Sequence, residues 1–160
     1  MLRFMNELES KNYAQVQNML KNGTVKCNQS YVGVFPLNMA IESGDPDMVA
    51  ILLTAGAPPE AKGNRNIDKD ATQLATAMRD DKKGKYRKEA AEILELLDSN
   101  AKDKKKLRER FEAVQLLVKK AEAKDLENTY MLLTFGVPVL AGIIYYLMYM
   151  APPANLPTLK

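Results

Sequence analysis

Side chains that commonly carry catalysis are scarce in this chain. Among its 160 residues there is one cysteine, Cys27, and no histidine. A disulfide framework, a His/Cys zinc site and any histidine-dependent triad or proton shuttle are thereby excluded. Cys27 has no histidine to act as its base and reads as a plain loop thiol. Carboxylates are paired at Asp45/Asp47, Asp68/Asp70 and Asp80/Asp81, each at a turn or a helix start. None is followed by the ligand ladder and distal bidentate glutamate that calcium requires, so these pairs read as caps and solvated turns. Gly23, Gly33, Gly44, Gly56, Gly63 and Gly84 stand isolated at turn positions with no strand before them, which leaves no loop built to cradle phosphate. The expectation is no catalytic residue, no metal, no cofactor and no small-molecule substrate.

Positive charge is the other candidate chemistry. Arg79–Lys88 carries six basic and two acidic residues, with Lys82, Lys83, Lys85 and Arg87 as candidate partner contacts; Lys104, Lys105 and Lys106 form a second group. The net charge of +3 is too small to argue a nucleic-acid partner, and beyond Tyr86 there is no aromatic ladder on which bases would stack. An acidic protein surface is the expected partner if the run binds anything; otherwise it is a solvated insertion.

The elements that hold these residues are helical. Pro36 opens a helix in which Leu37, Ala40 and Ile41 share a face, and that helix ends at Ser43-Gly44. Asp45 then caps a second helix with Pro46 at its first position, Met48, Val49, Leu52 and Leu53 as its stripe, and Gly56 at its C-terminal turn. Two such short helices cannot bury their shared face alone, so neighbours of the same kind are needed. The spacing repeats. Val16, Leu20 and Gly23 recur 33 residues later as Val49, Leu53 and Gly56. Ala71–Ala77 and Ala90–Leu97 form a third pair, with Ile93 standing 44 residues after Val49, an insertion of about eleven over the period of 33. Leu8, Tyr13, Val16, Met19 and Leu20 make the first, truncated unit, which caps the stack.

This block resembles the ankyrin-repeat family. Phe35-Pro36-Leu37-Asn38-Met39-Ala40 matches its TPLHxA signature, and Met48–Ala57 matches its second helix and glycine turn. The resemblance covers roughly residues 3–99 and implies a degenerate stack of two to three repeats that binds protein. Phe35 and Asn38 stand where the family has Thr and His, which touches the hydrogen-bond pair that ties neighbouring turns. Pro58-Pro59 removes two donors where the family builds its β-turn finger.

From about Asp103 the pattern becomes one long amphipathic helix with Leu107, Phe111, Val114, Leu117, Val118 and Ala121 as its stripe, which packs on the preceding helices or on a neighbour. It leads into Tyr130–Met150, twenty-one residues without a charge. About twenty apolar residues match a bilayer core of about 30 Å. Tyr130 at one end and Tyr145, Tyr146 and Tyr149 towards the other suit the two interfaces, and Pro138 frees the carbonyl of Thr134. On an upright helix Lys104–Lys106 stand roughly 36–39 Å before Tyr130 at about 1.5 Å per residue, far beyond a Debye length of about 8 Å, so that group calls for a protein partner. Thr134, Pro138, Ala141, Gly142 and Tyr145 fall on one largely small face, suited to packing on another transmembrane helix.

Arg110, Lys119, Lys120 and Lys124 precede the span, whereas Lys160 alone follows it, which puts the head on the matrix, stroma or cytosol side. Glu7 and Glu9 follow Met1–Phe4 at once, and no apolar core of a cleavable secretory signal is present. The expected protein is all-α: an ankyrin-like helical-hairpin stack over 1–99, a stalk over 100–129, one transmembrane helix over 130–151 and a tail over 152–160. The expected role is a non-catalytic accessory or assembly subunit of a large organellar membrane complex, respiratory or photosynthetic. Its partners would be protein subunits and membrane lipid, with the mitochondrial inner membrane preferred over thylakoid or endoplasmic reticulum. The competing expectation is a free tail-anchored adaptor that recruits soluble clients to the endoplasmic reticulum or outer mitochondrial membrane. Leu53→Asp would put an unpaired charge into the shared core and cost about 3 kcal/mol or more. Circular-dichroism melts of the detergent-solubilised protein check this, and an unaltered melt would remove the assigned register.

Overall fold

The computed structural model describes residues 2–62, 69–81, 84–146 and 149. The described backbone is helical and contains no extended strand. Close contacts divide the chain into Met1–Val118 and Lys119–Lys160.

In the first unit the helices come as consecutive pairs: α1 (Leu2–Glu9) with α2 (Tyr13–Lys21), α3 (Pro36–Glu42) with α4 (Pro46–Thr54), and α5 (Ala71–Asp80) with α6 (Arg87–Ala101). Members of a pair pack together, and the pairs pack in chain order, α1 on α3 on α5 and α2 on α4 on α6. Local chemistry sets where each helix begins. Asn12 accepts from the Gln15 N–H at 3.3 Å, Asp45 from the Met48 N–H at 3.0 Å and Asp70 from the Gln73 N–H at 2.8 Å, each relieving a donor that the first turn leaves unpaired. At α5 the Gln73 side chain returns the bond to the Asp70 N–H at 3.1 Å, closing a capping box. Of the acidic pairs read as caps, Asp68 lies outside the described residues.

One core runs through the pairs, with Phe4, Val16, Leu37, Ile41, Val49, Leu52 and Ile93 all buried in it. The repeat-defining residues Pro36, Leu37, Ala40, Leu52 and Leu53 are buried, and Gly56 takes the left-handed conformation at φ 87°. At Gly44, φ 62°, the ring of Tyr86 lies so close that an added Cβ would meet its Cγ at 2.4 Å. Tyr86, just before α6, is thereby seated on the α3–α4 turn.

Between α2 and α3 the chain makes a turn that the repeat pattern did not disclose. Tyr31 and Val34 exchange backbone hydrogen bonds of 2.8 and 3.1 Å, and the two residues between them, Val32 and Gly33, sit at φ 53° and 77°. Positive φ at both central positions is the mirror-image turn of tight hairpins. Val32 is 82% exposed, and the Tyr31 ring packs by Phe4 at 5.8 Å between centroids.

After Lys104 at φ 57°, α7 (Lys105–Met131) begins, and its first half belongs to the head. Leu107 and Val114 are buried in the core, with Phe111 and Val118 packed against it. Leu117, on the same predicted stripe, is 54% exposed, and Ala121 is exposed as well. The stripe therefore covers the chain's own core only as far as Val118.

The second unit holds the rest of α7, a π turn at Leu132–Gly136 and α8 (Val137–Tyr145). Helix Lys105–Tyr145 contains a stretch long and apolar enough to cross a membrane, with mean hydropathy 1.4 and none of that stretch buried. Leu147, Met148, Met150 and the tail from 151 onward lie outside the described residues.

The two glycine turns separate backbone strain from crowding. Gly56→Ala meets nothing within 4 Å and loses only the left-handed term, about 1 kcal/mol, whereas Gly44→Ala also collides with Tyr86 and should lose about 2–3 kcal/mol. Denaturant titration of both variants measures the difference, and equal losses would remove the Tyr86 contact.

Candidate functional site

Thr134, Pro138, Ala141, Gly142 and Tyr145 all lie in the second unit and are all exposed. A Cβ on Gly142 would meet nothing within 4 Å, while one on Gly136 would meet only the far end of the flexible Leu132 side chain, Cδ1 at 2.9 Å. Tyr145 and Tyr149 stack with ring centroids 5.0 Å apart.

The π turn changes which carbonyl lacks a partner. The Val137 N–H bonds to the Leu132 carbonyl, five residues back, instead of to Leu133. Five residues after Leu133 comes Pro138, which has no N–H. Leu133 C=O is thus left without either helical donor. The sequence pointed to Thr134 C=O, which Pro138 does deprive of its α-helical donor; the π turn adds Leu133 to it. Among the described residues the Thr134 hydroxyl makes no hydrogen bond, unlike Thr129, whose Oγ1 donates to Asp125 O at 2.8 Å. In hydrocarbon an unpaired peptide group costs several kcal/mol.

The head has its own polar centre, which pattern reading resolved only as caps. Asp45 is 2% exposed; besides capping α4 it accepts from Tyr13 Oη at 3.2 Å and faces Lys11 Nζ at 3.5 Å. Its neighbour Asp47 is held by Arg110 of α7, whose Nη2 also reaches Glu92 of α6 at 3.5 Å. Gln115 of α7 donates to Gln17 Oε1 of α2 at 3.2 Å. Arg110 lies three residues after Leu107 and one before Phe111, beside the apolar stripe, and that position was the available signal.

Among the described residues the candidate basic contacts stand at two places, the start of α6 and the α6–α7 turn. Lys82 and Lys83 lie outside the described residues. Lys85 sits over the Tyr86 ring at 5.0 Å, and Arg87 opens α6. Lys104 and Lys105 stand at the α6–α7 turn, where the Asp103 carboxylate accepts the Lys105 N–H at 3.1 Å and is held below its ordinary pKa by that bond. Lys106 is paired with Glu95 at 2.8 Å. The length of α6, roughly 22 Å at about 1.5 Å per residue, separates Arg87 from this turn. Among the described residues no three His, Cys, Asp or Glu side chains are grouped to hold a metal ion.

Comparison with protein-family models, curated proteins and solved structures finds no match to this chain.

Burial, followed by the charge of Asp45, raises the Tyr13 hydroxyl well above its ordinary value of 10.0. An unfolded chain would ionise Tyr13 near that value while the folded one keeps the proton. Its stabilising contribution is therefore complete below about pH 10 and is lost as pH rises beyond it. Tyr13→Phe should cost about 1–2 kcal/mol near neutrality and flatten the fall in melting temperature between about pH 9 and 11. Melts across that range test it, and an unchanged slope would detach the Tyr13–Asp45 bond from head stability.

Proposed function

We propose that the chain is a non-catalytic, single-pass membrane protein with an ankyrin-like head, serving as an accessory or assembly subunit of a large organellar membrane complex. The observation that carries this reading is the apolar helix beyond Val118, none of whose membrane-length stretch is buried. Leu132, Phe135, Val139 and Leu140 are each about 60% exposed in it, a distribution that water penalises and lipid rewards. The small face at Pro138–Gly142 and a Leu133 carbonyl that lacks its usual helical donors add a reason for a neighbour within the bilayer. In the head, the succession of packed helix pairs, the glycine turns at φ 62° and 87° and the repeat of 33 residues support the ankyrin-like description. The positive residues before the span favour a head on the matrix, stroma or cytosol side, and the mitochondrial inner membrane is our preferred location.

The adaptor reading draws on one feature of the head. Met5, Leu8, Tyr31, Val34 and Met39 line an open groove of about 480 Å³ beside exposed Val32, with Glu9 and Glu42 also lining it. A soluble client would use that groove, whereas a complex subunit depends on the span.

Gentle solubilisation of the tagged protein from its own membranes, followed by native-gel sizing and mass spectrometry of co-migrating chains, distinguishes them. A discrete assembly many times the mass of the chain is expected, and migration as a small partner-free species would favour the adaptor. Gly142→Ile has room within its own chain, so it should leave membrane insertion intact while reducing co-migration at least about tenfold, the equivalent of about 1.4 kcal/mol. Unaltered co-migration would count against packing at this face.

A further inference from the structure

The groove of the head between α1 and α3 carries negative charge that nothing in the fold offsets. Glu9 and Glu42 line it, and no lysine or arginine is among the described residues that do, in a chain whose net charge is +3. Both glutamates are exposed, and among the described residues neither makes a hydrogen bond or an ion pair. The cations nearest to Glu9 in sequence are engaged elsewhere, Arg3 with Glu7 at 3.7 Å and Lys11 with Asp45 at 3.5 Å. An entering group with positive charge is therefore attracted, and an anionic one is repelled.

Val32 stands in the same groove on a turn fastened from both sides. Its neighbours Tyr31 and Val34 are buried, and Tyr31 Oη accepts the Lys26 N–H at 3.0 Å and donates to the Lys26 carbonyl at 2.9 Å. Those anchors hold Val32 at φ 53°, a conformation that a β-branched residue adopts only under constraint, with its side chain in solvent. Strain of this kind is found at ligand clamps, where the surroundings over-determine the backbone. A turn already ordered loses little further entropy when a partner closes on it. Met5 from α1 and Met39 from α3 supply walls whose unbranched thioethers adapt to differing apolar shapes.

We propose that this groove docks a segment of another polypeptide in which aliphatic side chains stand beside lysine or arginine. The aliphatic groups fill the space between Met5 and Met39 against Val32, and the basic group meets Glu9 and Glu42. An open groove of about 480 Å³ suits side chains of a larger partner more than a small molecule, which would need enclosure. Anionic lipid headgroups meet the wrong sign of charge there. A second copy, set symmetrically groove to groove, would oppose its own carboxylates to these. The proposal goes beyond the membrane-subunit reading, which rests on the span, and stands or falls separately from it.

The test titrates the full chain in detergent with a short synthetic peptide of leucine and lysine that carries a photoreactive leucine, and with its counterpart in which glutamate replaces lysine. Saturable binding of the lysine peptide is expected, at least about tenfold tighter than that of the glutamate peptide and weakened severalfold by added salt. Its adducts should map to Met5, Val32 or Met39. Glu9→Lys with Glu42→Lys should abolish or reverse the preference, whereas Glu60→Lys with Glu112→Lys, the same change of charge elsewhere on the head, should leave it. Val32→Asn suits the turn, so it should raise the melting temperature while weakening the lysine peptide severalfold; unchanged affinity would remove Val32 from the site. No binding, equal affinities for the two peptides, equal effects of the two double variants, or adducts confined to other residues would overturn the groove and leave the membrane reading intact. A concentration-dependent dimer that Glu9→Lys with Glu42→Lys dissolves would overturn the proposal in favour of a second copy.

Discussion

A helix of seven residues does not persist in water on its own, because nucleation consumes most of what so few hydrogen bonds return. Helix α3 has that length, and α1, α2 and α4 are scarcely longer. Their persistence depends on the apolar contact each makes with the next pair, through Ile41, Val49, Leu52 and Ile93. Caps and glycine turns decide where each helix starts and stops, but shared burial decides whether it exists. The head consequently behaves as a line of mutually dependent layers in which damage at one layer deprives its neighbours of a surface.

Helix α7 extends that logic past the repeats. Leu107 and Val114 close the core, and Arg110 holds carboxylates from two different helices, Asp47 and Glu92. A guanidinium suits this place because its fork presents several donors at once, where a lysine would present one compact charge. The apolar contact supplies most of the adhesion, and the partly exposed ion pairs add direction more than energy. Beyond Val118 the residues of the same helix are exposed.

Much of the head was legible because its signals are local. Pro36, Asp45-Pro46, Asp70, Gly44 and Gly56 each act within a few residues, and the apolar stripes repeat at helical spacing. The long-range ties were not legible. Arg110 and Asp47 are 63 positions apart, and nothing in either neighbourhood specifies the other. Nor could the stripe on α7 say where it would cease to cover its own core, since Val118 and Leu117 are equally apolar yet face different surroundings. The small residues Ala141 and Gly142 are plain in the sequence, whereas the π turn, a gain of one residue in a single turn, has no compositional mark beyond Gly136 and Pro138.

The turn at Val32 bears on how the chain can evolve. A β-branched residue held at φ 53° costs roughly 1–2 kcal/mol against a residue at ease there, and at 82% exposure it recovers nothing from the core. Asparagine before Gly33 would relieve that strain through one residue change. The fold thus holds a reserve of stability close by in sequence space, enough to offset one moderately damaging change elsewhere, and lineages that draw on it could explore head surfaces closed to those that keep the valine.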